Sequence, residues 1–156
     1  MPRTAEATAA ESTPSQLTRE NLGFLLAKAS QRWNELLGER FAAAGFPEVR
    51  PSYGSIILPL FEQDGLRMGE IAKRARLSKQ TMTTMVRLLE RDGLVERRSD
   101  PQDGRAALVF LTRRAHAFRP VAESTLRELG RLARRRLGST TADAVSDALR
   151  QLAELK

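Results

Sequence analysis

Polar side chains follow one face of a predicted helix that covers Ser78–Asp92. Apolar residues recur there at steps of three and four, which turns one stripe toward a core and leaves the opposite face to solvent. An amide on the outer face can pair with adenine, hydroxyls can meet methyls or phosphates, and long cations can reach guanine or the backbone of a DNA major groove. The residues of that outer face are Lys79, Gln80, Thr83, Thr84 and Arg87. An ordinary solvated helix would expose similar residue types, so the choice between a DNA-reading helix and a plain surface helix depends on the neighbouring elements.

A further cation stands at the predicted tip of a β-hairpin. Residues 94–99 and 106–111 are rich enough in Val, Leu and Phe for strands, and the Asp-Gly pair within Asp100–Arg105 favours a hairpin turn between them. Arg105 at that tip can enter a minor groove, whose negative potential attracts a guanidinium. Alternatively, an ion pair with Asp103 or the other loop aspartate only stiffens the turn. Both roles are compatible, because an aspartate can orient the arginine.

Basic residues around these two elements complete the predicted DNA-contacting set. Of the net charge of +7, +6 falls between residues 66 and 114, as expected where a surface meets a polyanion, although a solvated basic face is the alternative. Basic residues next to the helix and on the first strand can neutralise phosphates, and each of them can also be a plain solvated charge. The whole set is Ser78, Lys79, Gln80, Thr81, Thr83, Thr84, Arg87, Arg105, Arg76, Arg97, Arg98 and Asp103.

The elements that hold these residues are predicted to form a winged helix. Met68–Ala75 is a short predicted helix, Arg76-Leu77 is a tight connection, and Ser78 is placed to cap the second helix, which Gly93 ends. Two helices joined so tightly make a helix-turn-helix unit, and the hairpin that follows supplies the wing.

Longer helices flank this unit, so the predicted fold is mainly α with a small β-wing. The apolar pattern predicts a long helix from Leu17 to the Gly45-Phe46-Pro47 stop, then a shorter helix from Pro51. Thr112 caps another long helix to about Leu137, and a last helix starts near Thr141. The predicted organisation is a disordered tail (1–16), a helical dimerisation region (17–45 and 112–156) and a winged helix-turn-helix region (46–111).

This element order resembles the MarR family (multiple antibiotic resistance regulators) of bacterial transcription factors. The resemblance covers about residues 17–156 and is carried by LSKQTMTTMVRLLERDGLVERRSDPQDGRAALVFLT, in which DPQDGR (Asp100–Arg105) is similar to the family's wing motif. Ala115 departs from the glycine of many members, but alanine suits the start of a helix. The resemblance implies a homodimer, joined by the first and last two helices, on an inverted repeat with half-sites about 34 Å apart.

Family members usually repress genes, and many release DNA when a small aromatic or anionic molecule binds where the dimer helices meet the winged lobe. The residues that could line such a cleft here are Trp33, Arg50, Tyr53 and His116. Trp33 also fits a core or dimer interface, Tyr53 could simply pack with its hydroxyl at the surface, and His116 could be a surface residue. Absence of cysteine excludes the thiol-oxidation switch that some members use.

Composition excludes several other classes. The chain has no cysteine and one histidine, which removes disulfides, thiolate catalysis and the usual structural zinc sites. It has no phosphate-cradling glycine loop and no apolar run of about 18 residues, so we expect a cytoplasmic protein, associated with the nucleoid when bound to DNA, that is not an enzyme and has no cofactor. An effector-independent regulator, an activator, or a winged-helix module that docks on protein remain alternatives.

Overall fold

The computed structural model describes residues 15–156. Residues 1–14, which make up most of the predicted tail, lie outside the described residues. The chain divides into two compact units, Met1–Trp33 and Asn34–Lys156. The elements in chain order are α1 (Leu22–Ala43), a 3₁₀ turn (Pro51–Tyr53), α2 (Gly54–Glu62), β1 (Leu66–Arg67), α3 (Met68–Ala75), α4 (Lys79–Arg91), β2 (Val95–Asp100), β3 (Asp103–Leu111), α5 (Arg113–Leu137) and α6 (Ser139–Leu152). The predicted fold class, mainly helical with a small antiparallel wing, is confirmed.

The first unit contains the beginning of α1. The helix begins at Leu22 rather than at the predicted Leu17, because the Asn21 side chain accepts the Phe24 N–H at 2.9 Å and so caps the first turn. Large apolar side chains are exposed on this part of the helix: Leu22, Phe24, Leu25 and Trp33.

A single apolar core holds the second unit together. The predicted stripe of α4 is buried at Met82, Val86 and Leu89, where it meets the inward faces of α2 and α3. Residues from the end of α1, the β-sheet and α5 complete this core. Complete burial of Leu89 illustrates the scale, since removing such a side chain from water contributes about 1.5–3 kcal/mol to folding.

The wing is a three-stranded antiparallel sheet in the order β1-β3-β2. The predicted position of its turn was wrong. The turn residues are Pro101 and Gln102, whereas Asp103 and Gly104 already belong to β3. The buried Asp100 carboxylate accepts the Gln102 N–H at 2.8 Å, which closes the turn, and the strand register shifts at this point.

Capping residues set the ends of the last two helices. The Thr112 hydroxyl accepts the Ala115 N–H at 3.2 Å and starts α5 as predicted. Gly138, with φ +82°, separates α5 from α6, which begins at Ser139 rather than near Thr141. Proline lies inside α2 and α5, at Pro59 and Pro120, and both helices continue past it.

Candidate nucleic-acid interface

Ser78 starts α4 and sets the direction of its exposed face. Its backbone is extended, and its Oγ accepts the Thr81 N–H at 3.1 Å. The Ser78 hydroxyl also donates to Thr81 Oγ1 at 2.8 Å. Both hydroxyls therefore hold the first turn of α4, which leaves less of their hydrogen-bonding capacity for DNA.

Arg76 forms the tight turn before that cap. Its φ of +52° lies in the left-handed region, and it is the one non-glycine residue with positive φ in the described part of the chain. The Arg76 guanidinium donates to the Ala153 carbonyl at 3.1 Å, so this predicted phosphate contact already has a partner beside α6.

The outer face of α4 is available to a ligand. Lys79, Gln80 and Arg87 are exposed, and within residues 15–156 their side chains make no hydrogen bond or ion pair. The Thr83 and Thr84 hydroxyls donate to carbonyls one turn earlier, at 2.8 and 3.1 Å. They remain acceptors, which suits contact with base amino groups more than with phosphates.

Arg105 is equally free on the wing. Asp103 accepts the Arg105 backbone N–H at 3.0 Å instead of pairing with its guanidinium. The other candidate partner, Asp100, is occupied by Arg67, whose Nη2 lies 2.6 Å from the carboxylate. Among described residues the Arg105 guanidinium therefore has no partner.

Arg97 and Arg98 differ from Arg105, because both are engaged within the protein. Arg97 Nε lies 2.9 Å from Glu90 Oε1 on α4. Arg98 pairs with Glu96 and stacks on the Phe110 ring at 4.4 Å. A phosphate would have to compete with these carboxylates, so both arginines are less available than their sequence positions suggested.

A cleft of about 750 Å³ brings the free groups of helix and wing together. It lies between α3, the start of α4 and β3, and Lys79, Thr83 and Arg105 line it along with Arg67. Within the described residues, five basic side chains between 66 and 114 have no polar partner: Lys73, Lys79, Arg87, Arg105 and Arg113. Three of these five belong to α4 or the wing, where a polyanion would meet them.

The far end of α4 carries an aspartate that the sequence analysis did not select. Asp92 Oδ2 accepts a hydrogen bond from the buried Tyr53 hydroxyl at 2.5 Å, and Asp92 Oδ1 accepts one from Arg91 Nε at 3.0 Å. These bonds, Arg91 first, lower the pKa of Asp92, whereas burial and the Asp92 contact raise the pKa of Tyr53. No local pattern links Tyr53 to Asp92, which are 39 residues apart.

The four candidate ligand residues lie in different surroundings. Tyr53 is 1% exposed, and Arg50 lies over its ring at 6.0 Å. His116 is exposed, with Nε2 3.7 Å from Asp64 Oδ2. Trp33 belongs to the first unit and is 36% exposed.

A separate apolar groove of about 280 Å³ lies between α2 and α5. Arg50, Tyr53 and His116 are not among its lining residues. Apolar side chains form its walls and charged side chains its rim: Leu58, Phe61, Ala122, Leu126, Glu62, Arg119 and Glu123. The Arg119 guanidinium lies 5.2 Å from the Phe61 ring, within cation–π range. Sequence analysis missed this groove because its walls come from two helices about 60 positions apart.

Two further observations concern the described part of the chain as a whole. It contains no cluster of three or more His, Cys, Asp or Glu residues that could hold a metal ion. None of its helices combines the length and the apolar character that crossing a lipid bilayer requires.

Comparison with known proteins supports the nucleic-acid reading. The sequence profile of the MarR family matches residues 52–107. The HTH-type transcriptional repressor YetL of Bacillus subtilis is 33% identical over 85 residues, which are 53% of this chain and 49% of YetL. The matches to curated relatives span 29% to 64% of those relatives' own lengths, so the chain covers less than two thirds of each.

Solved structures match over nearly the whole chain. The transcriptional repressor CouR, bound to a 23-mer DNA duplex, is 27% identical, with a TM-score of 0.72 that covers 92% of this chain and 100% of the CouR chain. The PcaV transcriptional regulator of Streptomyces coelicolor, in complex with its natural ligand, shares the fold with a TM-score of 0.73 at 21% identity, over 92% of this chain and 97% of PcaV.

Proposed function

Because this chain belongs to the MarR family of winged-helix transcription regulators, which bind DNA, we propose that it is a homodimeric repressor released from an inverted-repeat operator by a small-molecule effector. The proposal has three parts: the DNA face, the dimer and the effector. One observation carries it, namely that two cations without a partner among the described residues, Lys79 at the start of α4 and Arg105 on the wing, line the same cleft.

The DNA face divides its work between base and backbone contacts. Gln80 and Thr84 face outward from α4 and would read base edges in the major groove, while Lys79 and Arg87 would reach guanine or phosphates. Arg105 would enter the adjacent minor groove. The similarity to CouR, a repressor whose structure contains DNA, supports this assignment.

Exposed apolar side chains on the terminal helices support a homodimer. All of α6 lies within the described residues, and none of its side chains is buried in its own chain. Even the large apolar residues Val145 and Leu149 are 41% and 46% exposed. Leu22, Leu25 and Leu137 add exposed apolar surface on α1 and α5. A second copy would cover these side chains and present two α4 helices about one helical turn of DNA apart, roughly 34 Å.

The groove between α2 and α5 is the proposed effector site. Its apolar walls suit a small aromatic molecule, and a carboxylate on that molecule would compete for Arg119 with Glu123, whose Oε1 lies 3.2 Å from Arg119 Nε. PcaV, a protein of the same fold, holds a natural ligand in its structure, which supports ligand control in this fold. The ligand-binding role of Trp33, Arg50, Tyr53 and His116 stays a separate prediction, because none of the four lines this groove. We further propose that the protein acts in the cytoplasm, where it would meet DNA, and that it is not an enzyme and has no cofactor.

Selection of bound fragments from a random DNA pool tests the proposal directly. We expect an enriched inverted repeat whose affinity falls steeply with salt, because each phosphate contact releases counterions. No enriched sequence and little salt dependence would contradict DNA recognition and favour a protein-docking module. Enrichment of a direct repeat, or of a single half-site, would contradict the symmetric dimer.

Small aromatic acids added to the purified complex then test the effector. Release of the enriched DNA by one of them, lost on Arg119→Ala, supports the α2–α5 groove. Continued binding across an aromatic acid panel would favour a regulator without such an effector.

A further inference from the structure

Two hydroxyl groups hold the junction between α4 and the wing from outside. The Tyr53 hydroxyl donates to Asp92, the residue immediately after α4, at 2.5 Å. The Thr112 hydroxyl donates to the Gly93 carbonyl at 2.6 Å. Gly93 ends the helical segment in the left-handed conformation, with φ +74°, so both contacts lie where the helix ends and the wing begins.

The Tyr53 side of this junction has a rigid base. Tyr53 is 1% exposed, and it ends the 3₁₀ turn that leads directly into α2. The following residues Ile56 and Ile57 are fully or almost fully buried in the core. The hydroxyl therefore has a fixed position, which a donor on a solvent-exposed side chain would not have.

Asp92 is correspondingly well held. Its side chain is 16% exposed, and its two carboxylate oxygens accept from Tyr53 and from Arg91. Hydrogen bonds to a carboxylate are shorter and stronger than neutral ones, so this bond constrains geometry more than an ordinary surface contact does.

Small changes at this end of α4 become large at the other end. Its 13 residues span about 20 Å, so a tilt of about 10° around the Asp92 end displaces Lys79 and Gln80 by about 3 Å. Base-edge hydrogen bonds need donor–acceptor distances within a few tenths of an ångström of about 2.9 Å. A modest loosening of the junction would therefore break base contacts while leaving the helix folded.

We infer that Tyr53 is a positioning residue for DNA recognition, because its hydroxyl, held on Asp92, sets the tilt of α4 against α2. The inference rests on the proposed role of α4 in reading DNA. Tyr53 itself is buried and acts through Asp92, without touching nucleic acid.

Tyr53→Phe tests this with the DNA sequence enriched from the random pool as probe. The full-length variant keeps the ring in the core and removes only the hydroxyl. We expect operator affinity to fall about tenfold, while affinity for scrambled DNA of the same length stays within about twofold, because phosphate contacts tolerate tilt better than base contacts do. The ratio of the two affinities is the readout, measured by fluorescence anisotropy.

Asp92 variants separate positioning from general stabilisation. Asp92→Asn keeps an oxygen that accepts from Tyr53 and should retain most of the operator preference. Asp92→Leu should match Tyr53→Phe, and the double variant Tyr53→Phe/Asp92→Leu should be no worse than either single variant, as coupled partners require. Ile57→Val in the same helix region removes one buried methylene, lowers stability to a similar extent, and should leave the operator preference unchanged.

Three results would overturn the inference. The first is an unchanged ratio for Tyr53→Phe, and the second is additive losses in the double variant. The third is a loss for Ile57→Val equal to that for Tyr53→Phe. The double variant Lys79→Ala/Gln80→Ala separates the proposed DNA-reading role of α4 from the positioning role of Tyr53. If this variant keeps operator binding, both roles are contradicted. If it loses operator binding and Tyr53→Phe does not, only the positioning role is contradicted.

Discussion

At the scale of single residues, partners decide which cations can meet DNA. Arg105 and Arg98 lie on neighbouring strands of the same wing, yet Arg98 is held by Glu96 and the Phe110 ring while Arg105 has no partner among the described residues. Residue type alone could not separate them.

Arg105→Ala should weaken operator binding by about 1–3 kcal/mol, with the larger loss where the flanking sequence is A/T-rich and the minor groove narrow. The matched control Arg98→Ala should cost clearly less, because its guanidinium is already paired. Anisotropy titrations on operators with A/T-rich and G/C-rich flanks measure both. Equal losses for the two variants, or no dependence on the flanks, would contradict the wing assignment.

Arg76 adopts a backbone conformation that costs stability. A side chain in the left-handed region is strained by roughly 1–2 kcal/mol, which glycine avoids. Arg76→Gly should therefore be more stable than Arg76→Ala by about 1 kcal/mol, although both lose the bond to the Ala153 carbonyl. Urea unfolding of the two variants gives the difference. Equal midpoints would show that the turn relaxes when the arginine is removed.

At the scale of elements, the wing depends on Asp100. The Gln102 backbone N–H and the Arg67 guanidinium lower the pKa of Asp100, so the folded state favours the carboxylate. A lowered folded pKa gives stability that is present above the ordinary value of about 3.9 and is lost as pH falls through the folded value.

Asp100→Asn should consequently unfold at lower urea concentration than the wild type near pH 7, and the gap should narrow at about pH 3. The amide still accepts the Gln102 N–H, but the ion pair with Arg67 is lost. Urea midpoints at the two pH values test this. If the difference in urea midpoint between wild type and variant is the same at both pH values, ionisation of Asp100 is not the source of that difference.

How much the sequence predicts also differs from element to element. Both helices of the helix-turn-helix unit were predicted closely, because the cap at Ser78 and the apolar stripe are local signals. The two-residue strand β1 was not, since its pairing of Leu66 with Val109 joins distant segments. The wing turn was misplaced because the Asp100 side chain, and not the Asp-Gly pair, closes it.

The candidate site shows the same division. Helical periodicity predicted which side chains of α4 face outward, and the structure exposes Lys79, Gln80 and Arg87 as expected. Periodicity could not predict that Arg97 pairs with Glu90 or that Tyr53 bonds to Asp92, because those contacts arise only when separate elements pack.

At the scale of the whole molecule, the exposed apolar side chains predict assembly. Val145→Glu and Leu149→Glu would each place a charge on the α6 face that a second copy should bury. We expect the double variant to sediment as a folded monomer at micromolar concentration and to lose operator affinity on the order of a hundredfold, because the two half-sites are no longer linked.

Leu58→Glu is the control, since Leu58 is 49% exposed on α2, outside the terminal helices. It should remain dimeric. A wild-type protein that sediments as a monomer, or a double variant that stays dimeric, would contradict the proposed interface.

The fully described but unburied α6 has a consequence for how such regulators diverge. Because its side chains contribute little to the core of their own chain, mutations there would change partner choice in the proposed homodimer without unfolding the subunit. After a gene duplication, a few exchanges at positions such as Ala148 and Leu149 would suffice to stop two sister proteins from mixing. Each could then evolve its own target sequence undisturbed by hybrid assemblies.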